Sequence, residues 1–287
     1  MSTGERPSIQ PTDCEELAFG LVAGGIRLQA KSILPPGTSL TGSGPVLVFL
    51  HEALGSITQW KSFPLALASA SGLPALLYDR VGHGRSEPRT RPLDTSYLET
   101  EAWDRLPAVL SGCGIESPIL VGHSDGATIA LLYAARWPSA PLAVIAEAAH
   151  VFVEAAALQG IWRTLRAFET TTLRERLRVH HGDQVDAVFR AWVDVWLSPA
   201  FRDWSMTERL PDISCPVLAI QGEDDEYGTP DQVRAILQGV SGPSRGLLLP
   251  GCAHAPHFQA RGRVLEGMAG FIREALARSG AHPAASA

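Results

Sequence analysis

The pentapeptide Gly122-His123-Ser124-Asp125-Gly126 sets one serine between two glycines. A serine hydroxyl is a poor nucleophile until a base removes its proton. Alone, a G-x-S-x-G sequence is weak, because small residues also gather in ordinary loops and helix caps. Its surroundings strengthen it. The apolar run 119–121 stands directly before it, and the helix-forming stretch 127–132 directly after it. Strand, sharp turn and helix together can hold Ser124 exposed as a nucleophile. The base is sought among nine histidines. His254 lies in the loop between the last apolar run, 247–249, and a C-terminal helical stretch, so it should emerge at the same sheet edge as Ser124. His257, three residues later, is its rival. A carboxylate must then fix the imidazole's tautomer and stabilise its cation. Four consecutive acids, Glu223-Asp224-Asp225-Glu226, follow the apolar run 217–220. Such a run is ordinarily a solvated turn, but this one leaves a buried strand. Asp225 is the leading candidate, with Asp224 next.

These side chains need a scaffold that brings them to one place. Short apolar runs at 46–50, 75–78, 119–121, 142–146, 217–220 and 247–249 are continuous rather than alternating. That pattern predicts parallel strands buried on both faces. Helical spacing recurs between them. It is seen at 98–110, where Pro107 should kink or restart the helix, at 127–135, and at 264–277. The alternation implies an α/β sheet with right-handed crossovers, preceded by a hairpin over 16–33 around Gly24-Gly25. From 151 to 210 no buried strand is expected. Ile161, Leu165 and Phe168, then Val185, Phe189, Trp192 and Trp196, recur at helical spacing. Helices inserted there would project over the strand ends where α/β proteins bind ligands. The expected organisation is a core of 15–150 and 211–279, a helical cap of 151–210, and flexible ends at 1–14 and 280–287.

Composition narrows the function classes. The 287 residues are 45% apolar and 19% charged, with net charge −6. There is no basic run, so nucleic acid is not an expected partner. No apolar stretch reaches the roughly 18 residues of a membrane span, and the polar first residues do not read as a secretory leader. Cys14, Cys113, Cys215 and Cys252 are scattered without CxxC spacing. Reduced thiols in the cytoplasm are expected, and a zinc ribbon is not. Gly82-His83-Gly84 lacks the third glycine of a dinucleotide fingerprint, with Glu87 in its place, so no cofactor is implied. His180-His181 and the pair His254 and His257 lack metal-ligand spacing, so no metal is expected. A homo-oligomer is left open.

Taken together, the chain resembles the α/β-hydrolase superfamily, and within it the cap-bearing, carboxylesterase-like serine hydrolases. The resemblance spans residues 16–278. It is carried by 46–52, 78–86, 122–126, 222–225 and 251–257, with Ser124, Asp225 and His254 in the superfamily's order. It implies a mostly parallel twisted sheet flanked by helices, with a helical cap inserted between two strands. It favours Asp225, three residues after Gly222, and His254, the first histidine of its loop. Ala253 stands where a glycine is common. It implies an oxyanion hole from the backbone N–H groups of Ala53 and Asp125. One departure is visible: His51-Glu52 replaces the His-Gly of many relatives. Glu52 is expected to point away and bond a neighbouring loop, a role in positioning water or substrate being the second reading. The implied chemistry is attack on a carboxylic ester, thioester or lactone of a small, largely apolar acyl substrate. His51, Glu52, His123, Trp162, Trp192 and Trp196 are candidate pocket residues, with Trp204 nearby in the cap. Carbon–carbon bond hydrolysis, a perhydrolase or haloperoxidase-like activity, and a non-catalytic small-molecule receptor remain alternatives. A serine at 124 argues against chemistry that needs a carboxylate nucleophile.

Overall fold

In a computed structural model, residues 10–280 are described. The ends expected to be flexible, 1–14 and 280–287, lie mostly outside that range. Within it, Pro11–Asp13 form a short 3-10 turn. Eight strands form one sheet: β1 (Glu15–Ala23), β2 (Ile26–Leu34), β3 (Gly42–Leu50), β4 (Ala75–Tyr78), β5 (Ile115–His123), β6 (Ala143–Glu147), β7 (Val217–Gly222) and β8 (Ser244–Leu249). Their spatial order is β1-β2-β4-β3-β5-β6-β7-β8. The leading hairpin pairs antiparallel, β2 joins β4 antiparallel, and every later pairing is parallel.

The helices are α1 (Phe63–Ser71), α2 (Tyr97–Thr100), α3 (Leu106–Gly112), α4 (Asp125–Arg136), α5 (Ala155–Thr170), α6 (Leu173–His181), α7 (Val185–Trp196), α8 (Asp231–Gly239), α9 (Pro256–Gln259) and α10 (Arg261–Ser279). Successive strand residues point to opposite faces. Leu47, Phe49, Val121, Ile145 and Ile220 therefore join one buried cluster with α1 and α10. Val46, Val48, Leu50, Leu120, Val144 and Ala219 join the other, with α3, α4 and α8. This two-sided burial is why the central strands read as continuous apolar runs. The last run is the exception. β8 is the sheet edge, and most of it is exposed, Leu248 included.

The helix expected over 98–110 is broken. A wider π-helical turn, Glu101–Arg105, separates α2 from α3, and Pro107 sits in the first turn of α3. Proline has no N–H to donate there, and its ring would collide with the carbonyl four residues back in a regular helix. Between β6 and β7 the chain runs through α5, α6 and α7. An antiparallel bridge between Phe152 and Ser205 closes the base of this insertion, and Val153 N–H donates to Trp204 O at 3.1 Å.

α5 sits directly on the loop that follows β7. A Cβ at Gly160 would lie 2.5 Å from Glu226 O and 2.8 Å from the Tyr227 ring. Beside it, Arg163 donates to Glu226 O at 3.1 Å, and the Thr164 hydroxyl meets the Tyr227 hydroxyl. Alanine would ordinarily gain about 1 kcal/mol over glycine in a helix. Here the collision is with a backbone oxygen that no rotamer change relieves, and overpacking costs about 1–3 kcal/mol. Gly160→Ala is expected to destabilise the protein, read as a lower urea midpoint. A raised midpoint would show that the seam yields.

Candidate active site

The turn between β5 and α4 carries Ser124 at φ 54° and ψ −118°, a left-handed backbone that a non-glycine residue rarely adopts. Its neighbours explain how it is held. A Cβ on Gly126 would lie 1.9 Å from Leu50 O, and one on Gly122 would lie 2.3 Å from Gly126 O. Only glycine fits at either position. Ser124 N–H donates to Glu147 O at 2.8 Å, which ties the turn to the end of β6.

Asp225 and His254 meet across two loops. His254 Nδ1 lies 2.8 Å from Asp225 Oδ1 and 2.9 Å from Oδ2. The carboxylate also accepts from Tyr227 N–H at 2.8 Å and from Gln221 Nε2 at 2.9 Å, so its orientation is fixed. Burial opposes a charge on the imidazole. The hydrogen bond and charge of Asp225 outweigh that, with Glu52 and Glu226 adding to them, and hold His254 above its ordinary value. Burial likewise opposes the Asp225 carboxylate, but its bond to His254 outweighs it and holds the carboxyl below its ordinary value. With Nδ1 committed to Asp225, Nε2 is the nitrogen left for proton transfer.

Ser124 and His254 line one cavity of about 50 Å³. Its floor is the sheet edge, with Glu52, Ala53, Asp125 and His150. Its roof is the cap, with Ala157, Ile161, Trp192 and Trp196. Ala53 and Asp125 border it, and neither backbone N–H is committed to a hydrogen bond among the described residues. Arg80 braces both sides of this pair. Its Nη2 donates to Glu52 O at 2.9 Å and lies 3.6 Å from Asp125 Oδ2. The Tyr97 hydroxyl donates to Asp125 Oδ2 at 3.0 Å and accepts from Trp196 Nε1 at 2.8 Å, which joins the cap to the same group.

Several expected pocket residues lie elsewhere. Trp162 is one position along α5 from the inward-facing Ile161 and is 55% exposed. A step of one residue turns the side chain by about 100° around a helix. Trp204 donates to Glu99 Oε1 at 3.1 Å and stacks on Phe201. His51 is structural: its Nε2 accepts Arg80 N–H at 3.0 Å and its Nδ1 donates to Glu52 O at 2.7 Å. His123 donates from Nε2 to His254 O at 2.7 Å, and burial lowers its pKa to about 3, His257 adding to the effect. His51 and His123 border a second, adjacent cavity. Glu52 does not turn away to bond a loop. It borders both cavities, and no hydrogen bond reaches its carboxyl among the described residues.

His257 faces Glu147, which accepts His257 N–H at 2.7 Å and Nδ1–H at 2.9 Å through Oε1. Burial works against the Glu147 carboxylate, but the His257 charge and these bonds outweigh it and keep its pKa low. His123, Glu147 and His257 bring metal-ligand-type atoms within 4.8 Å of one another. Because Glu147 and His257 already bond each other, the trio reads as a brace behind the His254 loop. Sequence reasoning missed His150 and Tyr227 as cavity residues. Both follow the C-terminal ends of parallel strands, β6 and β7, and that placement was the available signal. A wider cleft of about 400 Å³, lined by Arg89, Arg91 and Glu101 among others, contains none of Ser124, Asp225 or His254. The convergence of chemical groups, and not size, marks the candidate site.

The sequence model of the alpha/beta hydrolase family matches residues 47–266. The chain belongs to the alpha/beta hydrolase family. Among curated alpha/beta hydrolase relatives it is similar to serine hydrolase BPHL of Homo sapiens, 26% identical over 229 residues, covering 78% of this chain and 71% of that protein. It is also similar to the 2-hydroxymuconate semialdehyde hydrolase of Pseudomonas sp. (strain CF600), 30% identical over 129 residues, covering 45% of this chain and 42% of that one. Among solved structures, the proline iminopeptidase of Mycobacterium smegmatis aligns with a TM-score of 0.69 at 20% identity, over 92% of this chain and 100% of that one. That likeness concerns the fold. Among the described residues no helix is long and apolar enough to cross a membrane.

The coupling of Asp225 to His254 has a direct readout. The His254 imidazole is expected to titrate above the ordinary value of about 6.5, and Asp225→Asn to bring it down. NMR titration of the histidine ring protons measures both; an unchanged midpoint in the variant would contradict the coupling.

Proposed function

We propose that this alpha/beta hydrolase is a serine hydrolase that cleaves a carboxylic ester, thioester or lactone of a small, largely apolar substrate through an acyl-enzyme. The reading rests above all on one observation: His254, hydrogen-bonded to Asp225 behind it, borders the same small cavity as Ser124, Ala53 and Asp125. Ser124 Oγ attacks the carbonyl carbon as its proton passes to His254 Nε2. The carbonyl oxygen becomes an oxyanion and is held by the N–H groups of Ala53 and Asp125. One such donor is worth about 3–4 kcal/mol of barrier. His254 then protonates the leaving oxygen or sulfur as its bond to carbon breaks. In the second half-reaction water attacks the acyl-enzyme, gives a proton to His254, and Ser124 leaves with that proton. Asp225 keeps His254 in the right tautomer and stabilises its charged form. Ala157, Ile161, Trp192 and Trp196 give the roof its apolar character and favour an aliphatic or aromatic acyl group. Carbon–carbon bond hydrolysis is a second reading, favoured by the likeness to the Pseudomonas semialdehyde hydrolase.

A panel of p-nitrophenyl esters, lactones, acyl-CoA thioesters and a vinylogous diketone separates the readings. Ester turnover that vanishes in Ser124→Ala supports the esterase, whereas turnover of the diketone alone supports the second reading. Asp225→Asn should lower kcat by about 10⁴-fold with the fold intact. A loss of that size in Asp224→Asn instead would overturn the assignment of the acid.

A further inference from the structure

Glu52 is a carboxyl group at a place where the chemistry accumulates negative charge, and it borders the cavity that holds Ser124 and His254. It is also the residue shared with a second cavity of about 60 Å³. That volume has room for more than one water molecule. The wall of the second cavity is mostly apolar, with a few polar atoms set into it. Gln59 Oε1 is buried without a hydrogen-bond partner. The rings of His123 and His257 border it, and each uses only one of its nitrogens in the bonds described above. A buried polar atom such as Gln59 Oε1 is ordinarily satisfied by ordered water. Ser56 and the half-exposed Phe258 form another part of its wall.

The backbone of Glu52 is fixed. Its carbonyl accepts from His51 Nδ1 at 2.7 Å, Arg80 Nη2 at 2.9 Å and Gly55 N–H at 3.0 Å. Its stem is packed as well: a Cβ on Gly55 would lie 3.0 Å from Glu52 Cγ. The carboxyl is thus carried on a rigid turn between two cavities and has no partner there among the described residues. Its charge acts on the base: Glu52 is among the groups that raise the His254 imidazole. Burial pushes the Glu52 carboxyl up in turn, while the charges of His254, His257 and Arg80 pull it down and Asp125 pushes it further up.

We propose that Glu52 positions the water that hydrolyses the acyl-enzyme, receiving it from the second cavity and presenting it to His254. The proposal rests on the acyl-enzyme reading above. One hydrogen of the water is held by the Glu52 carboxylate and stays with the oxygen. The other passes to His254 Nε2 as the new carbon–oxygen bond forms. The bond to Ser124 Oγ then breaks, and His254 returns that proton to the serine. Glu52 ends the cycle in the state in which it began. The acylation half-reaction uses no water, so the hold of Glu52 on water acts in deacylation alone, while its charge bears on His254 in both halves. A residue that only shaped the loop would affect both.

Glu52→Gln keeps the size of the side chain and removes its charge. Stopped-flow hydrolysis of p-nitrophenyl acetate by the full chain separates the two halves. The variant is expected to release one equivalent of p-nitrophenolate at a rate within about threefold of wild type, then turn over at least about tenfold more slowly. Hydroxylamine, a stronger nucleophile than water, should compete for the acyl group more successfully in the variant than in wild type. Glu52→Asp, which keeps the charge on a shorter stem, should fall between them and serves if the glutamine variant does not fold. Equal slowing of both phases, no slowing, or an unchanged partition between water and hydroxylamine would overturn the proposal. Failure of a fluorophosphonate to label Ser124 in wild type would overturn the acyl-enzyme reading instead.

Discussion

The start of α4 lies so close to the ends of β3 and β5 that no side chain fits at either contact, and the site follows from that. Gly122 and Gly126 approach backbone atoms so closely that no Cβ fits at either position. The chain between them must turn at once, and Ser124 takes a left-handed backbone to do it. Such a conformation costs on the order of 1–3 kcal/mol and persists only where its surroundings over-determine it. Here the N–H bond to Glu147 O and the start of α4 hold it. Glu147 serves twice, because its side chain also accepts two bonds from His257. His123, beside the serine, donates to the carbonyl of His254. The turn carrying Ser124 and the loop carrying His254 are therefore joined at two points, one of them fully buried, before any substrate arrives.

A second set of bonds runs through Arg80. Its guanidinium touches the carbonyl of Glu52 on one side and the carboxylate of Asp125 on the other. These flank the two N–H groups of the candidate oxyanion hole. Because Tyr97 and Trp196 continue the line into α7, the cap is bonded to the same group as these two candidate donors. A buried charge pair of this kind does little for net stability, but removing one partner leaves the other stranded. Its value here is in fixing the spacing of two backbone donors to which hydrogen-bond geometry is sensitive.

Much of this was legible in the residues. The apolar runs at 75–78 and 217–220 fall inside β4 and β7, because strands covered on both faces leave no polar alternation to blur them. The edge strand β8 was misjudged on the same rule: three adjacent leucines say nothing about which strand lies outermost. Trp192 and Trp196, four apart, share the inner face of α7, as helical spacing implies. Trp162 was misplaced because composition counts a tryptophan without fixing the rotation of its helix. Glu52 could not be oriented from sequence, since the reason it faces the cavity is a distant arginine and the packing of its own turn. His150 and Tyr227 were passed over because neither belongs to a motif, and their place depends on where two strands end.

α5 has no gap between itself and the peptide that follows Asp225, because Gly160 lies against Glu226 and Tyr227. The same helix roofs the chamber of about 50 Å³ that Ser124 and His254 line. The fit of a guest under the roof and the aim of the carboxylate on the imidazole therefore share one close contact, that of α5 with the loop after Asp225.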